Sequence, residues 1–168
     1  MKRLITCLLL LSLLFITNKV IADSKISASD AFNKLTKLTG SWKKEAAGNS
    51  DFGILFELTA NNSVLTETWL RKGKKHSLTV YHLDNDDLIV THYCPQGNQP
   101  RLKLTNYSTP TSLSFTFYDA TNLKNITDSH QHSLSFELST DENRMIRHES
   151  YLSESNEDAS SLVLLRTD

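Results

Sequence analysis

The chain has 168 residues, with 18 Lys+Arg against 19 Asp+Glu and a formal net charge of −1. That length fits one domain. The scattered basic residues form no stripe, which argues against nucleic acid or an anionic membrane surface as partner.

The N-terminus opens with Lys2 and Arg3. An apolar run from Leu4 to Ile16 follows, broken only by Thr6, Cys7 and Ser12, and then Val20-Ile21-Ala22 before polar Asp23-Ser24-Lys25. This is the layout of a secretory signal peptide with a small-residue cleavage site. The run is short of the roughly 20 apolar residues that span a bilayer. The expectation is an export signal over residues 1–22 and a mature domain over 23–168, periplasmic or extracellular, with no membrane attachment after cleavage. The signal holds Lys2, Arg3 and Lys19 and no acid, so 15 basic residues would remain against 19 acidic ones, a net charge of −4. Cys7 would leave with it, and Cys94 would remain as a lone thiol that cannot form an internal disulfide.

Ser27-Ala28-Ser29-Asp30 has the form of a capping box. Ala28, Ala31, Phe32, Leu35 and Leu38 then fall near helical spacing. They predict one amphipathic helix over about residues 28–39, with Gly40 as the residue that ends it. A helix this short is marginal in water, so its apolar stripe must pack against the rest of the chain.

Everything after Gly40 reads as strands. The first is at Trp42, and Phe52–Leu58 alternates before Asn61-Asn62. Val64–Arg71 precedes Lys72-Gly73-Lys74-Lys75. His76–Leu83 and Leu88–Cys94 flank Asp84-Asn85-Asp86. Leu102–Tyr107, Leu113–Phe117, Leu134–Leu138, Met145–Leu152 and Ser161–Arg166 complete ten candidates. Short, regularly spaced strands with turn residues between them indicate a sandwich or a barrel. Nearly all the connections are tight, which favours an up-and-down meander, and closing the meander removes exposed strand edges. The expected fold is therefore an all-β antiparallel barrel of about ten strands with one short N-terminal helix. Two longer connections stand out, Pro95–Arg101 and Asp119–Gln131.

Gly40-Ser41-Trp42, placed directly after the helix, resembles the G-x-W signature of the lipocalin and calycin barrels. The resemblance implies that Trp42 plugs the closed end of the barrel and that Arg166, on the last strand, lies across it. A guanidinium can stack on an indole while its donors bond the chain nearby. Ten strands resemble the fatty-acid-binding and nitrobindin-like members more than the eight-stranded lipocalins. The stretches Thr79–Asp84, Thr91-His92-Tyr93-Cys94, Gly97–Arg101 and Asp119–Leu123 are similar to an uncharacterised family of exported bacterial proteins, over roughly residues 35–168. That likeness implies a lipocalin-like barrel and no particular reaction.

The tight turn at Asp84–Asp87 permits a register. If Leu83 faces Leu88, then Tyr81 lies opposite Val90, Thr79 opposite His92 and Ser77 opposite Cys94, all on one face. Leu83, Leu88 and Val90 suggest that this face is the inner one. The other phase would turn Leu78, Val80 and Ile89 inward and leave His92 outside. In the first case a wall graded from apolar to polar suits a ligand cavity with a few placed polar groups. Tyr81, His92 and Cys94 are the candidate ligand-binding residues, joined by Asn98 and Arg101 of the following loop and by Asp119 and Asn122 at the start of the later one. Arg101 could hold a carboxylate.

Three functional readings follow. The first is a binding barrel for a small apolar or amphipathic ligand. The second is a metal or haem site, for which His92, Cys94, His130 and His132 offer imidazole and thiolate. The third is a thiol-dependent enzyme working through Cys94. No nucleophile elbow, phosphate loop, dinucleotide fingerprint or zinc-protease helix occurs in the sequence, so catalysis is the lesser expectation; the sequence does not name a cofactor.

Overall fold

In a computed structural model, residues 25–45 and 51–167 are described; the expected export signal lies outside them. One helix, α1 (Ala28–Thr36), precedes ten strands: β1 (Gly40–Lys44), β2 (Phe52–Thr59), β3 (Val64–Arg71), β4 (Lys74–Asp84), β5 (Asp87–Tyr93), β6 (Gln99–Leu104), β7 (Ser112–Thr121), β8 (His130–Leu138), β9 (Arg144–Ser153) and β10 (Asn156–Arg166). Every strand pairs antiparallel with its sequence neighbours, and β1 pairs with β10, so the meander closes into a barrel. Closure satisfies the strand edges that an open sheet would leave unpaired.

The helix begins as its sequence requires. The Ser27 hydroxyl accepts from the backbone N–H of Asp30 at 3.0 Å and donates to the Asp30 carboxylate at 2.7 Å. The helix ends earlier than residue 39. Lys37 and Leu38 turn back onto Lys34 and Leu35 through i→i+3 bonds, with Lys37 as the C-cap. Gly40 therefore does not end the helix. It opens β1 with φ of 123°, a backbone conformation that glycine tolerates at no steric cost.

Two strands reach further than their apolar residues indicated. The polar stretch from Asn156 to Ser160 belongs to β10, after a two-residue turn at Glu154-Ser155. His130 and Gln131 belong to β8, so the connection before it spans residues 122–129. The first long loop is likewise shorter, because β6 already begins at Gln99. Backbone pairing carries such segments without help from hydrophobic alternation.

The β4–β5 register agrees with the turn-based expectation. Leu83 pairs with Leu88, Tyr81 with Val90 and Thr79 with His92, as far as Leu78 with Tyr93. Tyr81, Leu88, Val90, Thr79 and His92 are all buried, together with Phe56, Leu65, Leu102, Phe115, Leu134, Phe136 and Met145. The inner face is thus the one that carries His92. Ile89 is also buried, although it lies on the other face.

The two ends of the barrel differ. At one end α1 packs on β4 and β5. There the Trp42 indole donates to the Leu38 carbonyl at 2.7 Å, and the Arg166 guanidinium lies 4.6 Å from the Trp42 ring centroid. Arg166 donates to the carbonyls of Thr39 (2.6 Å), Lys37 (2.7 Å) and Glu142 (3.1 Å). It ties the helix exit, the last strand and the β8–β9 turn to one side chain. Arg166→Ala should lower stability by about 2 kcal/mol, since three hydrogen bonds from a charged group and an indole contact are lost. Urea unfolding of the two chains measures the difference. The opposite end carries the turns at 72–73 and 154–155 and the loops 94–98 and 122–129, and it has no helical cover among the described residues.

Candidate ligand-binding site at the open end

Above the apolar floor, the barrel interior turns polar. The alternation of β3 points Leu65, Glu67 and Trp69 inward, and that of β9 points Met145, Arg147, Glu149 and Tyr151 inward. Glu67 and Arg147 are fully buried and lie 2.9 Å apart, from Oε1 to Nε. That pair is close but off the hydrogen-bond direction, so the contact is ionic. The Glu67 carboxylate also accepts from the Trp69 indole at 2.5 Å and from the Tyr81 hydroxyl. Arg147 Nη1 donates to Glu149 Oε2 at 2.9 Å, and Gln131 Nε2 donates to the same oxygen at 3.0 Å. The guanidinium lies 4.7 Å from the Trp69 ring centroid and 6.0 Å from that of Phe136.

Electrostatics follow from this packing. Burial alone would favour a neutral Arg147, but the Glu67 and Glu149 carboxylates outweigh it and hold the guanidinium charged. Burial, and next the Glu67 charge, push the Tyr81 hydroxyl well above its usual range, so it stays a donor.

A second chain of polar contacts runs beside the first. The Thr79 hydroxyl lies 2.9 Å from His92 Nδ1, and the Tyr151 hydroxyl lies 3.2 Å from His92 Nε2. Burial, and next the charge of Arg147, lower His92 to about 4. A neutral imidazole can donate from one nitrogen and accept at the other, which suits these two partners. Tyr151 is shifted upward, first by burial and then by the Glu149 charge. Burial pushes the Cys94 thiol up as well. A thiol held in its protonated form is not the nucleophilic species, so this geometry does not activate Cys94.

Two clefts open onto this polar layer. One, of about 280 Å³, is lined by Trp69, Arg71, His76, Ser77, His92, Cys94, Pro95, Gln96, Glu149 and Tyr151. The other, of about 610 Å³, is lined by Lys44, Asp51, Phe52, Trp69, Arg71, Lys72, Glu149, Ser160 and Leu162. Trp69, Arg71 and Glu149 border both. Phe52 meets Trp69 edge-on, with centroids 5.3 Å apart, and forms an apolar wall beside the charged groups.

The expected site residues therefore separate. His92 and Cys94 line the smaller cleft, and Tyr81 lies in the layer beneath it. Asn98 and Asn122 brace the loops. Asn98 Nδ2 donates to the Ser129 carbonyl at 2.8 Å and Asn122 Nδ2 to the Gly97 carbonyl at 2.6 Å. Arg101 and Asp119 do not reach the cleft. They pair with each other on the outer surface, beside the exposed Tyr118 ring. Arg101 precedes the inward Leu102 and so points outward, and a bulge at that point brings it opposite Asp119. His130 and His132 pack on Phe117, at centroid distances of 4.5 and 6.1 Å. Among the described residues no group of three or more His, Cys, Asp or Glu side chains could hold a metal ion, so His92, Cys94, His130 and His132 do not come together as a ligand set.

Glu67, Arg147, Glu149 and Tyr151 form the polar layer under and beside the clefts and are not among the expected site residues. Their signal was present: each charged side chain stands in the inward, apolar phase of its strand, where ionisable groups occur only when paired. No family model and no curated protein matches this chain.

Proposed function

We propose that the protein is an exported binding barrel that takes a small amphipathic molecule at its open end. The observation that carries this reading is the pair of adjoining clefts over the buried ion layer. Phe52, Trp69 and Leu162 offer an apolar wall, while Arg71, Glu149 and Tyr151 offer hydrogen-bonding groups within the same opening. Their volumes, about 280 and 610 Å³, suit a small molecule. The floor beneath is filled by side chains, so the ligand lies in the mouth rather than deep in the barrel. The resemblance of Gly40-Ser41-Trp42 to the lipocalin signature and the signal-like residues 1–22 support the same reading. A metal-centred or thiol-enzyme function lacks such support: no three candidate ligands gather among the described residues, and burial pushes the Cys94 thiol up.

N-phenyl-1-naphthylamine is a neutral dye that brightens in apolar sites. Titrated into residues 23–168, it should bind with a dissociation constant of roughly 200 μM, from about 0.3 kcal/mol for each of its roughly 17 non-hydrogen atoms. Phe52→Ser should weaken that binding at least several-fold at a temperature where both chains are folded. No brightening with the wild-type chain, or brightening unaffected by Phe52→Ser, would overturn the proposal.

A further inference from the structure

The larger cleft has a cationic rim. β1, β2 and β3 run side by side, and Lys44, Phe52 and Arg71 line the cleft from their ends nearest the opening. Strand alternation accounts for this placing. Lys44 follows buried, inward Trp42 by two positions, and Arg71 follows inward Trp69 by two. Arg71 also pairs with Phe52 in the β2–β3 ladder, so a cation stands directly beside the apolar wall. Lys72, at the turn after β3, lines the same cleft. Among the described residues no ion pair engages Lys44, Arg71 or Lys72.

A charge count follows. The cleft also holds two carboxylates, Asp51 and Glu149. Glu149 is already paired with Arg147, which Glu67 meets from the other side in the layer beneath. Cleft and layer together carry four cations, Lys44, Arg71, Lys72 and Arg147, against three carboxylates, Asp51, Glu67 and Glu149. The surplus is one positive charge. Elsewhere the chain runs the other way. Of the 15 basic and 19 acidic residues over 23–168, setting these seven aside leaves 11 basic against 16 acidic. A ligand with one negative charge would balance the surplus, whereas a cation would add to it. A head group with two or more oxygens could also meet the Arg71 guanidinium in the two-pronged geometry that guanidinium favours.

We infer that the ligand at the open end is an amphipathic anion of single charge, its head group held by Arg71 with Lys44 and Lys72 and its apolar part on Phe52 and Trp69. This rests on the proposed open-end site and adds the charge of the molecule that fills it.

The test compares two dyes that differ by that charge. 8-Anilino-1-naphthalenesulfonate is N-phenyl-1-naphthylamine with one sulfonate added. At low salt the sulfonate dye should bind residues 23–168 roughly fivefold more tightly than the neutral dye, the size of one part-exposed ion pair. Roughly 1 M NaCl should remove most of that advantage without weakening the neutral dye. Arg71→Gln should also remove most of it, with the neutral dye still bound. Lys34→Gln, in the helix at the closed end, should leave it unchanged. Equal or weaker binding of the sulfonate dye at low salt would overturn the inference and leave the open-end site standing. So would an advantage that survives high salt, persists in Arg71→Gln, or falls as far in Lys34→Gln. If Arg71→Gln fails to fold, the salt series on the wild-type chain decides. Failure of the neutral dye to bind the wild-type chain would instead remove the binding site itself, and the inference with it.

Discussion

Arg147→Met should cost about 3–5 kcal/mol of stability, because it strands the buried Glu67 carboxylate without its counter-charge. Glu67 is fully buried, and Arg147 is the only guanidinium near it among the described ion pairs. Natural domains are stable by only about 5–15 kcal/mol, so the variant should melt roughly 10–20 °C lower. Glu149 would also lose one of its two donors, but it keeps Gln131 Nε2, borders the clefts and can recover water. Glu67→Gln combined with Arg147→Met should restore most of the loss, since no buried charge at position 67 then remains unpaired. Buried pairs replaced as a unit by neutral residues are often near neutral. The coupling from the four-member cycle should reach about 2–3 kcal/mol, measured by urea unfolding. A single Arg147→Met chain as stable as wild type would show that Glu67 is not held by this charge.

The second large effect is on pH dependence. His92 is lowered to about 4 by burial, while an imidazole in the unfolded chain titrates near 6.5. Below about pH 6.5 the unfolded chain takes up a proton that the folded chain refuses until about pH 4. Stability from this residue is complete above pH 6.5 and is lost as the pH falls towards 4. Between pH 7 and pH 4.5 the loss should be about 2–3 kcal/mol. His92→Gln keeps a hydrogen-bonding side chain without the titration. Its stability should therefore fall by about 2–3 kcal/mol less over the same interval, read from urea midpoints at the two pH values. An identical pH slope in the two chains would mean that His92 takes up its proton without penalty in the fold.

These two residues also show what the sequence makes legible. His92 could be placed on the inner wall because a tight turn at Asp84–Asp87 sets the register of β4 and β5, and side chains alternate strictly along each strand. The Trp42–Arg166 contact joins distant parts of the described chain, and the resemblance of Gly40-Ser41-Trp42 to the lipocalin signature implies it. Arg147 could not be paired with Glu67 in that way. The two are eighty positions apart on β3 and β9, which are not neighbours in the barrel, and only closure brings them together. Alternation does mark each of them as inward-facing, and two opposite charges in apolar phases are a usable hint. Arg101 lies on the outer surface for a reason the sequence also carries. It lies next to inward Leu102, and its alternation already pointed outward.

The same logic separates the loops from the site. Asn98 and Asn122 are turn-forming residues whose side chains bond backbone carbonyls in the 94–98 and 122–129 loops. Their contribution is to fix the rim around Cys94 and Tyr151. Sequence spacing cannot distinguish a polar residue that braces a loop from one that meets a ligand, because both occur at turns.

The most direct test of the account is a backbone amide chemical-shift map of residues 23–168 with and without N-phenyl-1-naphthylamine. The account predicts that the largest shifts cluster at the open end, at Phe52, Trp69, Arg71, Ser77, Cys94, Gln96, Glu149 and Tyr151, and that helix residues Ala28–Thr36 stay unmoved. Shifts centred instead on the helix, or spread evenly over the outer strands, would contradict a ligand site at the barrel mouth.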